Sequence, residues 1–442
     1  MRRTGRTGRT GSGTARLVSD HGPQRAERSA EGSPMGEASD TDATAGNGGG
    51  GSSLADLSMA TAEERTAIWS LMASAGPVFP LPGGAGWMVT DPEGVQFIHR
   101  NPELFSSVGV MDGGELPIVY VPASVDPPEQ RRYRKLLDPL LAPRVINAME
   151  DELRVQVRQL VSSFAGGGGC DAIADLAIPY PTTVFLSVFG LPLDDRDLLR
   201  GWVETLIEKS PQMRPEFAEE HRTASWALYD YLLPYVEAKR ANPGDDVLSR
   251  ILAADGELEM TTDEVLGICF LFCIGGLDTV TGAIGFALFY LARNPELRRQ
   301  VVADPSLINP FIEEVLRLEP PAPIFPRVVT QDVEVCGVPI PAGDRVMMCI
   351  AAANRSSSIY DTPDDIDLGQ ADRGHVTFGG GVHRCVGAHL ARRELRLVVE
   401  EFHRLIPDYG IAEDFEPEIM WPSGTLHLRS LPLVFPTSGG EA

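Results

Sequence analysis

Fifteen residues near the C-terminus constrain this chain more than any other stretch: Phe378-Gly379-Gly380-Gly381-Val382-His383-Arg384-Cys385-Val386-Gly387-Ala388-His389-Leu390-Ala391-Arg392, a glycine-rich loop that delivers one cysteine to the start of a helix. A helix N-terminus favours a thiolate, because its free N–H groups and aligned peptide dipoles lie close to the sulfur. Glycines let the backbone approach a flat ligand and turn N–H groups toward the sulfur. The residues describe an anionic sulfur facing a planar metal cofactor. Two plainer readings stand beside it: a buried structural thiol at a turn, and a zinc site using His383, Cys385 and His389. Zinc needs a fourth ligand or an open water position, and no second Cys/His cluster lies nearby. A phosphate cradle is excluded, since no Gly-Lys-Ser/Thr follows and no GxGxxG opens a strand–helix unit.

The chain of 442 residues is 43% hydrophobic and 23% charged, which is enough for one large core. The first 53 residues differ: Gly, Ser, Thr and Arg dominate, and a disordered tail ahead of a single domain over 54–442 is expected. The net charge is −24, and the tail's seven Arg against six acids leave the body at about −25, which argues against nucleic acid as a partner. The early arginines are followed only by small polar residues, so no secretory signal is expected. Val265 to Ala292 is long enough to cross a bilayer, but Asp278 and Thr279 sit at its middle, which predicts a buried core helix and no membrane span. Six scattered cysteines without a CxxC pair fit a reducing cytoplasm.

Apolar residues recur at three and four spacing over Leu54 to Ala73, Ile146 to Phe164, Ala224 to Lys239, Thr262 to Arg293, Pro310 to Leu318 and His389 to Leu405, which predicts helices. Short strand signals flank Cys336-Gly337, at Val333 to Val335 and Val338 to Ile340, with another run over Arg345 to Ile350. The fold class is mainly α with small β-sheets. Within the long apolar helix, Gly275 and Gly276 precede Asp278 and Thr279. Glycines weaken a helix and threonine bonds back to a preceding carbonyl, so a kink with room for water is expected there. An acid and a hydroxyl at such a gap make a proton relay; taken alone, a close helix–helix approach with a solvated acid serves equally well. Asn309 as N-cap and Pro310 at the first helical position open a helix with Ile312, Val315 and Leu316 on its apolar stripe. On the other face Glu314 and Arg317 form an i,i+3 pair, which in isolation is usually a surface pair.

With these motifs in this order, the chain from about Leu54 to Phe435 resembles the cytochrome P450 superfamily, and within it the bacterial camphor monooxygenase branch. The resemblance implies the triangular, mainly α haem-thiolate fold, with haem b as cofactor and Cys385 as its iron ligand, Phe378, Gly379, Arg384 and Gly387 shaping the loop. It implies Thr279 and Asp278 as the hydroxyl and acid of oxygen activation, and Glu314 with Arg317 as a structural pair whose usual third partner, an arginine, is missing from Asp367-Leu368-Gly369-Gln370; Arg355 or Arg373 would substitute. The haem propionates would meet Arg134, Arg327 and His375, with Gln130 where many members have histidine. Pocket positions suggested by the same similarity are Ile118, Leu271, Ile274, Gly275, Pro323, Phe325, Thr425 and Leu426.

Those positions are almost all apolar. Ile118 stands where the camphor-binding member has a tyrosine, and losing that hydroxyl removes the ketone's partner. The implied substrate is a hydrophobic small molecule of terpenoid, steroid or alkyl-aromatic kind, oxidised with O2. No flavin or nicotinamide signature is present, so electrons would come from a ferredoxin or flavodoxin with an NAD(P)H reductase, steered by Arg131, Arg132, Arg134, Lys135 and Arg384. A haem-thiolate ligand or gas sensor without turnover is the alternative, and it would tolerate loss of the Asp278–Thr279 pair.

Overall fold

The computed structural model describes residues 62–111, 116–209, 215–258, 260–420 and 425–437. The expected N-terminal tail, and the first residues of the helix expected from Leu54, lie outside them. Fifteen α-helices run in order among the described residues: α1 (Ala62–Ser74), α2 (Pro92–Arg100), α3 (Glu129–Leu140), α4 (Pro143–Ala148), α5 (Glu150–Phe164), α6 (Pro179–Phe189), α7 (Arg196–Glu208), α8 (Ala218–Ala241), α9 (Val247–Leu258), α10 (Thr262–Gly276), α11 (Asp278–Arg293), α12 (Pro295–Ala303), α13 (Ile308–Leu318), α14 (Ile350–Ala353) and α15 (Ala388–Leu405). The strands are β1 (Val78–Pro80), β2 (Trp87–Val89), β3 (Phe105–Ser106), β4 (Gly169–Asp171), β5 (Ile324–Val329), β6 (Val333–Val335), β7 (Val338–Ile340), β8 (Arg345–Cys349), β9 (Gly410–Ile411), β10 (Ile419–Met420), β11 (His427–Leu428) and β12 (Pro432–Val434). The mainly α class with small sheets is therefore what the chain forms.

One five-stranded sheet has the order β1-β2-β8-β5-β3; it is antiparallel except where β2 runs parallel to β8. Its register pairs Ile324 with Cys349 and Phe325 with Met348, which holds the segment before Arg327 at a set depth. The hairpin β6–β7 turns at Cys336 and Gly337, both in the left-handed region.

The helical core is built around α10 and α11, whose side chains are buried over most of their length. Among the described residues Thr262–Arg293 is the one helical run long and apolar enough to cross a membrane by composition. Here it is a core element: α10 packs on α8, and α11 on α13 and α15. A reciprocal capping box starts it, with Thr261 Oγ1 accepting from the Glu264 N–H at 3.2 Å and Glu264 Oε2 from the Thr261 N–H at 2.6 Å. Glu264 also accepts from Tyr133 of α3, tying α3 to α10. A Cβ on Gly267 would lie 2.0 Å from the Val119 carbonyl oxygen, so only glycine lets the Ile118–Val119 segment press onto α10.

Two helix expectations are corrected. The periodic run Ile146 to Phe164 is two helices, α4 and α5, meeting at Met149; a hydrophobic period persists across a short reorientation and does not mark it. Asn309 is not the cap of α13: the helix already begins at Ile308. The chain before it is a turn over Pro305–Leu307 capped by Asp304, which accepts from the Ser306 N–H at 3.0 Å. That turn runs directly into the helix and makes a cap at Asn309 unnecessary.

Candidate active site around Cys385

The loop before α15 is suspended from α13 by a buried ion pair. Glu314 and Arg317 are each 1% exposed, far from the surface pair that spacing alone suggests. All five guanidinium N–H groups are used: Nε and Nη2 donate to the Glu314 carboxylate at 2.8 Å each, Nη2 also to Asp365 O at 2.8 Å, and Nη1 to Asn354 O at 3.1 Å and Pro363 O at 2.7 Å. Tyr360 lies under the guanidinium at 4.5 Å. The missing third partner is neither Arg355, which faces Glu319 and Asp364, nor Arg373, which pairs with Asp361. Gln370 takes that place, its Nε2 3.4 Å from Glu314 Oε2, and the Asp367 N–H donates to the same oxygen at 3.0 Å. An uncharged amide suffices because Arg317 already neutralises the carboxylate.

From there the hydrogen bonds lead to the cysteine. Asn354 Oδ1 accepts from the Val376 N–H at 2.9 Å, and Thr377 Oγ1 donates to Leu316 O at 2.7 Å. Gly379 and Gly381 adopt φ of 66° and 59°, and a Cβ on Gly381 would meet the His99 carbonyl oxygen at 2.0 Å. The loop closes with the Cys385 N–H donating to Phe378 O at 2.8 Å, and α15 starts three residues on with Gly387 as N-cap. The Cys385 side chain is exposed, although surrounding protein atoms still desolvate its thiol. Burial pushes its thiol up; the N–H groups of Gly387 and Ala388, with Arg134 and Arg392, pull the other way.

Several predicted partners converge on this loop. Gln130 Nε2 donates to Val382 O at 2.5 Å, and Arg134 Nη1 to Arg384 O at 2.5 Å while its Nε pairs with Asp138 at 2.8 Å. Arg327 is 5% exposed, and burial lowers its guanidinium to about 10. His375 sits elsewhere in the network: its Nε2 is 3.1 Å from Glu313, which Arg392 also clamps at 2.6 and 2.8 Å. Arg392 in turn covers the Phe378 ring at 4.3 Å. The zinc set does not gather: His383 Nε2 faces Ser107 Oγ at 3.1 Å, and no group of three or more candidate ligands forms among the described residues.

Sequence reasoning missed His99. Its Nε2 is buried without a hydrogen-bond partner among the described residues, and burial, with Arg327 and His383 nearby, lowers its pKa to about 4. Only the fold brings α2 under the glycine loop, so no local signal marks it. An orphaned imidazole nitrogen, a buried arginine and an accessible thiol along one loop fit a planar, iron-bearing dianion.

The second predicted motif is the break in the long helix. Leu277, with φ −87° and ψ −60°, separates α10 from α11, and Thr279 Oγ1 donates back to Gly275 O at 2.7 Å. A Cβ on Gly275 or Gly276 would meet nothing within 4 Å, so the expected kink opens onto space. Asp278 has a buried Oδ2 without a hydrogen-bond partner, and burial raises its pKa while His427 lowers it and Glu208 and Glu204 raise it further. Of the pocket positions, Leu271, Ile274 and Gly275 keep exposure along one helix face, and Phe325 is half-buried. Ile118, Pro323 and Thr425 are buried, and Leu426 is fully enclosed in the core, its N–H bonded to Pro321 O at 2.8 Å.

Comparison with known proteins decides the family. Residues 210–404 match the family model described as Cytochrome P450. A probable cytochrome P450 127A1 of Sinorhizobium fredii is 34% identical over 352 residues, covering 77% of this chain and 83% of its own. The chain belongs to the cytochrome P450 family. It is a haem-dependent monooxygenase. A vitamin D(3) 25-hydroxylase of Pseudonocardia autotrophica is 31% identical, covering 78% of this chain and 86% of its own. The solved structure of a mutant of P450 EryK in complex with erythromycin B superposes with a TM-score of 0.77 at 30% identity, covering 86% of this chain and 98% of that one.

Proposed function

We propose that this P450 hydroxylates a hydrophobic small molecule of terpenoid, steroid or alkyl-aromatic type, with haem b held by Cys385 and electrons from a ferredoxin, or a flavodoxin, fed by an NAD(P)H reductase. The observations that carry the reading are an accessible thiol on a glycine loop and, within the same fold, an acid–hydroxyl pair at a helix break. Haem, when bound, supplies the oxygen activation and C–H oxidation that no side chain can perform. The chain's residues hold and proton-load the site. Arg327 and Arg134, with Gln130, His99 and the His375 network, would receive the propionate edge. Leu271, Ile274, Gly275 and Phe325 present the apolar wall that orients the substrate and excludes water. Thr279 Oγ1, anchored on Gly275 O, keeps its hydroxyl at the break, and Asp278 moves protons toward it. The reading places the enzyme in the cytoplasm, where reduced electron carriers are available.

Vitamin D3 is the first probe to try, since one relative bears a vitamin D(3) 25-hydroxylase name. Thr279→Ala is expected to divert electrons into hydrogen peroxide, lowering product formed per NAD(P)H while substrate binding persists; unchanged coupling would remove Thr279 from the relay.

Arg131, Lys135 and Arg384 are exposed near the cysteine loop, whereas Arg132 lies 3.6 Å from Glu264. Arg131→Glu is expected to slow electron transfer from an acidic ferredoxin by roughly 3–10-fold at low salt, with the difference shrinking as salt screens it. Stopped-flow reduction across an ionic-strength series checks this.

A further inference from the structure

A cavity of about 100 Å³ lies between α7, α11 and β11, lined among others by Arg200, Glu204, Glu208, Asp278, His427 and Arg429. His427 stands between two acids. Its Nδ1 is 3.6 Å from Asp278 Oδ2 and its Nε2 is 3.7 Å from Glu208 Oε1. Each gap exceeds hydrogen-bond length and is closed by a small side-chain rotation or one bridging water, for which the cavity has room and the carboxylates and imidazole supply polar partners.

We propose that His427 is the positioning residue that carries protons from this cavity to Asp278, with Glu208 holding the imidazole in its charged form. The inference rests on the reading of Asp278 and Thr279 as the proton relay and extends it outward. One proton leaves Nδ1 of the imidazolium for the Asp278 carboxylate; the neutral ring then regains one from bulk hydronium or buffer acid, relayed through cavity water, and no electron moves. The electrostatics agree. Burial disfavours the charged ring, but Glu208 and Asp278 outweigh burial and Arg429, and hold its pKa above 6.5. Asp278 is shifted upward as well, because burial disfavours its carboxylate, so it more readily takes up a proton passed to it. Glu204, paired with Arg200 at 3.9 Å, and Arg429, paired with Glu418 at 3.0 Å, are the other charges facing the ring; Thr425 Oγ1 lies 3.4 Å from Nδ1. Because its folded pKa is raised, the stabilisation that the charged ring draws from its acidic neighbours is fully present below 6.5 and is lost as pH rises through the higher folded value.

The test uses haem-loaded wild type, His427→Gln and Glu208→Gln. Proton NMR of the ferrous–CO protein, with His427 assigned by its loss in the variant, is expected to show titration above 6.5 that falls back in Glu208→Gln. Oxygen consumption with excess reductant, which needs no particular substrate, is expected to slow about ten-fold in His427→Gln, with a larger solvent deuterium effect and a flattened pH profile. Normal oxygen consumption and pH profile in His427→Gln would overturn the proposal, as would a ring titrating at or below 6.5. Haem loss in parallel with the rate would mark a structural role and overturn it equally. Thr279→Ala beside these separates the two levels: if it uncouples and His427→Gln changes nothing, only the outward extension is wrong; if neither has an effect, the relay reading itself fails.

Discussion

Cys385→Ser is expected to fold and yet lose the chemistry. The hydroxyl is close in size to the thiol, and the features that shape the loop are retained: the backbone bond to Phe378 O, the positive φ of Gly379 and Gly381, and the Arg392 cover over Phe378. With Cys385 as the proposed haem ligand, what would be lost is a soft, anionic sulfur that pushes electron density onto iron. The loss in product formation should exceed the roughly 10–100-fold that removing a ligand's hydrogen-bond partner brings at metal sites. The ferrous–CO difference spectrum reads it directly: wild type should show a strongly red-shifted Soret band, and the variant should not. A red-shifted band that survives in the variant would mean that another residue ligates the iron.

Arg317→Ala should strike stability instead. The change leaves the Glu314 carboxyl at 1% exposure without its arginine partner and strips donors from the carbonyls of Asn354, Pro363 and Asp365 at one stroke. Breaking a buried pair by removing one member typically destabilises by about 3–5 kcal/mol. The lesion lies on the segment that feeds Val376 and Thr377 into the cysteine loop, so haem retention should fall with stability. Arg317→Lys is expected to fail too, because an ammonium cannot reproduce a planar five-donor fork. Denaturant midpoints and haem-to-protein ratios measure both, and a midpoint equal to wild type would show that Gln370 and the Asp367 N–H hold the segment without the arginine.

How much of this was legible beforehand differs from residue to residue. The cysteine loop, the break at the glycine pair and the back-bonding threonine follow from local chemistry, because left-handed backbone, helix weakening and hydroxyl-to-carbonyl bonding act within a few residues. The β6–β7 hairpin falls where its strand signals and Cys336-Gly337 turn place it. The cap at Asn309 did not survive, since a preceding turn with its own Asp304 cap competes over the same residues.

By itself, the sequence determined the class of fold, the thiol, the acid–hydroxyl pair and the Glu314–Arg317 spacing, all of which are short-range patterns. Only tertiary structure decided that the pair is buried with all five donors used, that Gln370 stands where an arginine was sought, that His99 lies under the glycine loop, and that His427 stands between Glu208 and Asp278. Those partners are separated from one another by tens to hundreds of positions along the chain. Their meeting depends on how α2, α7, α13 and the β11 strand pack around the core, and helix packing is set by side-chain fit across elements that no local period encodes.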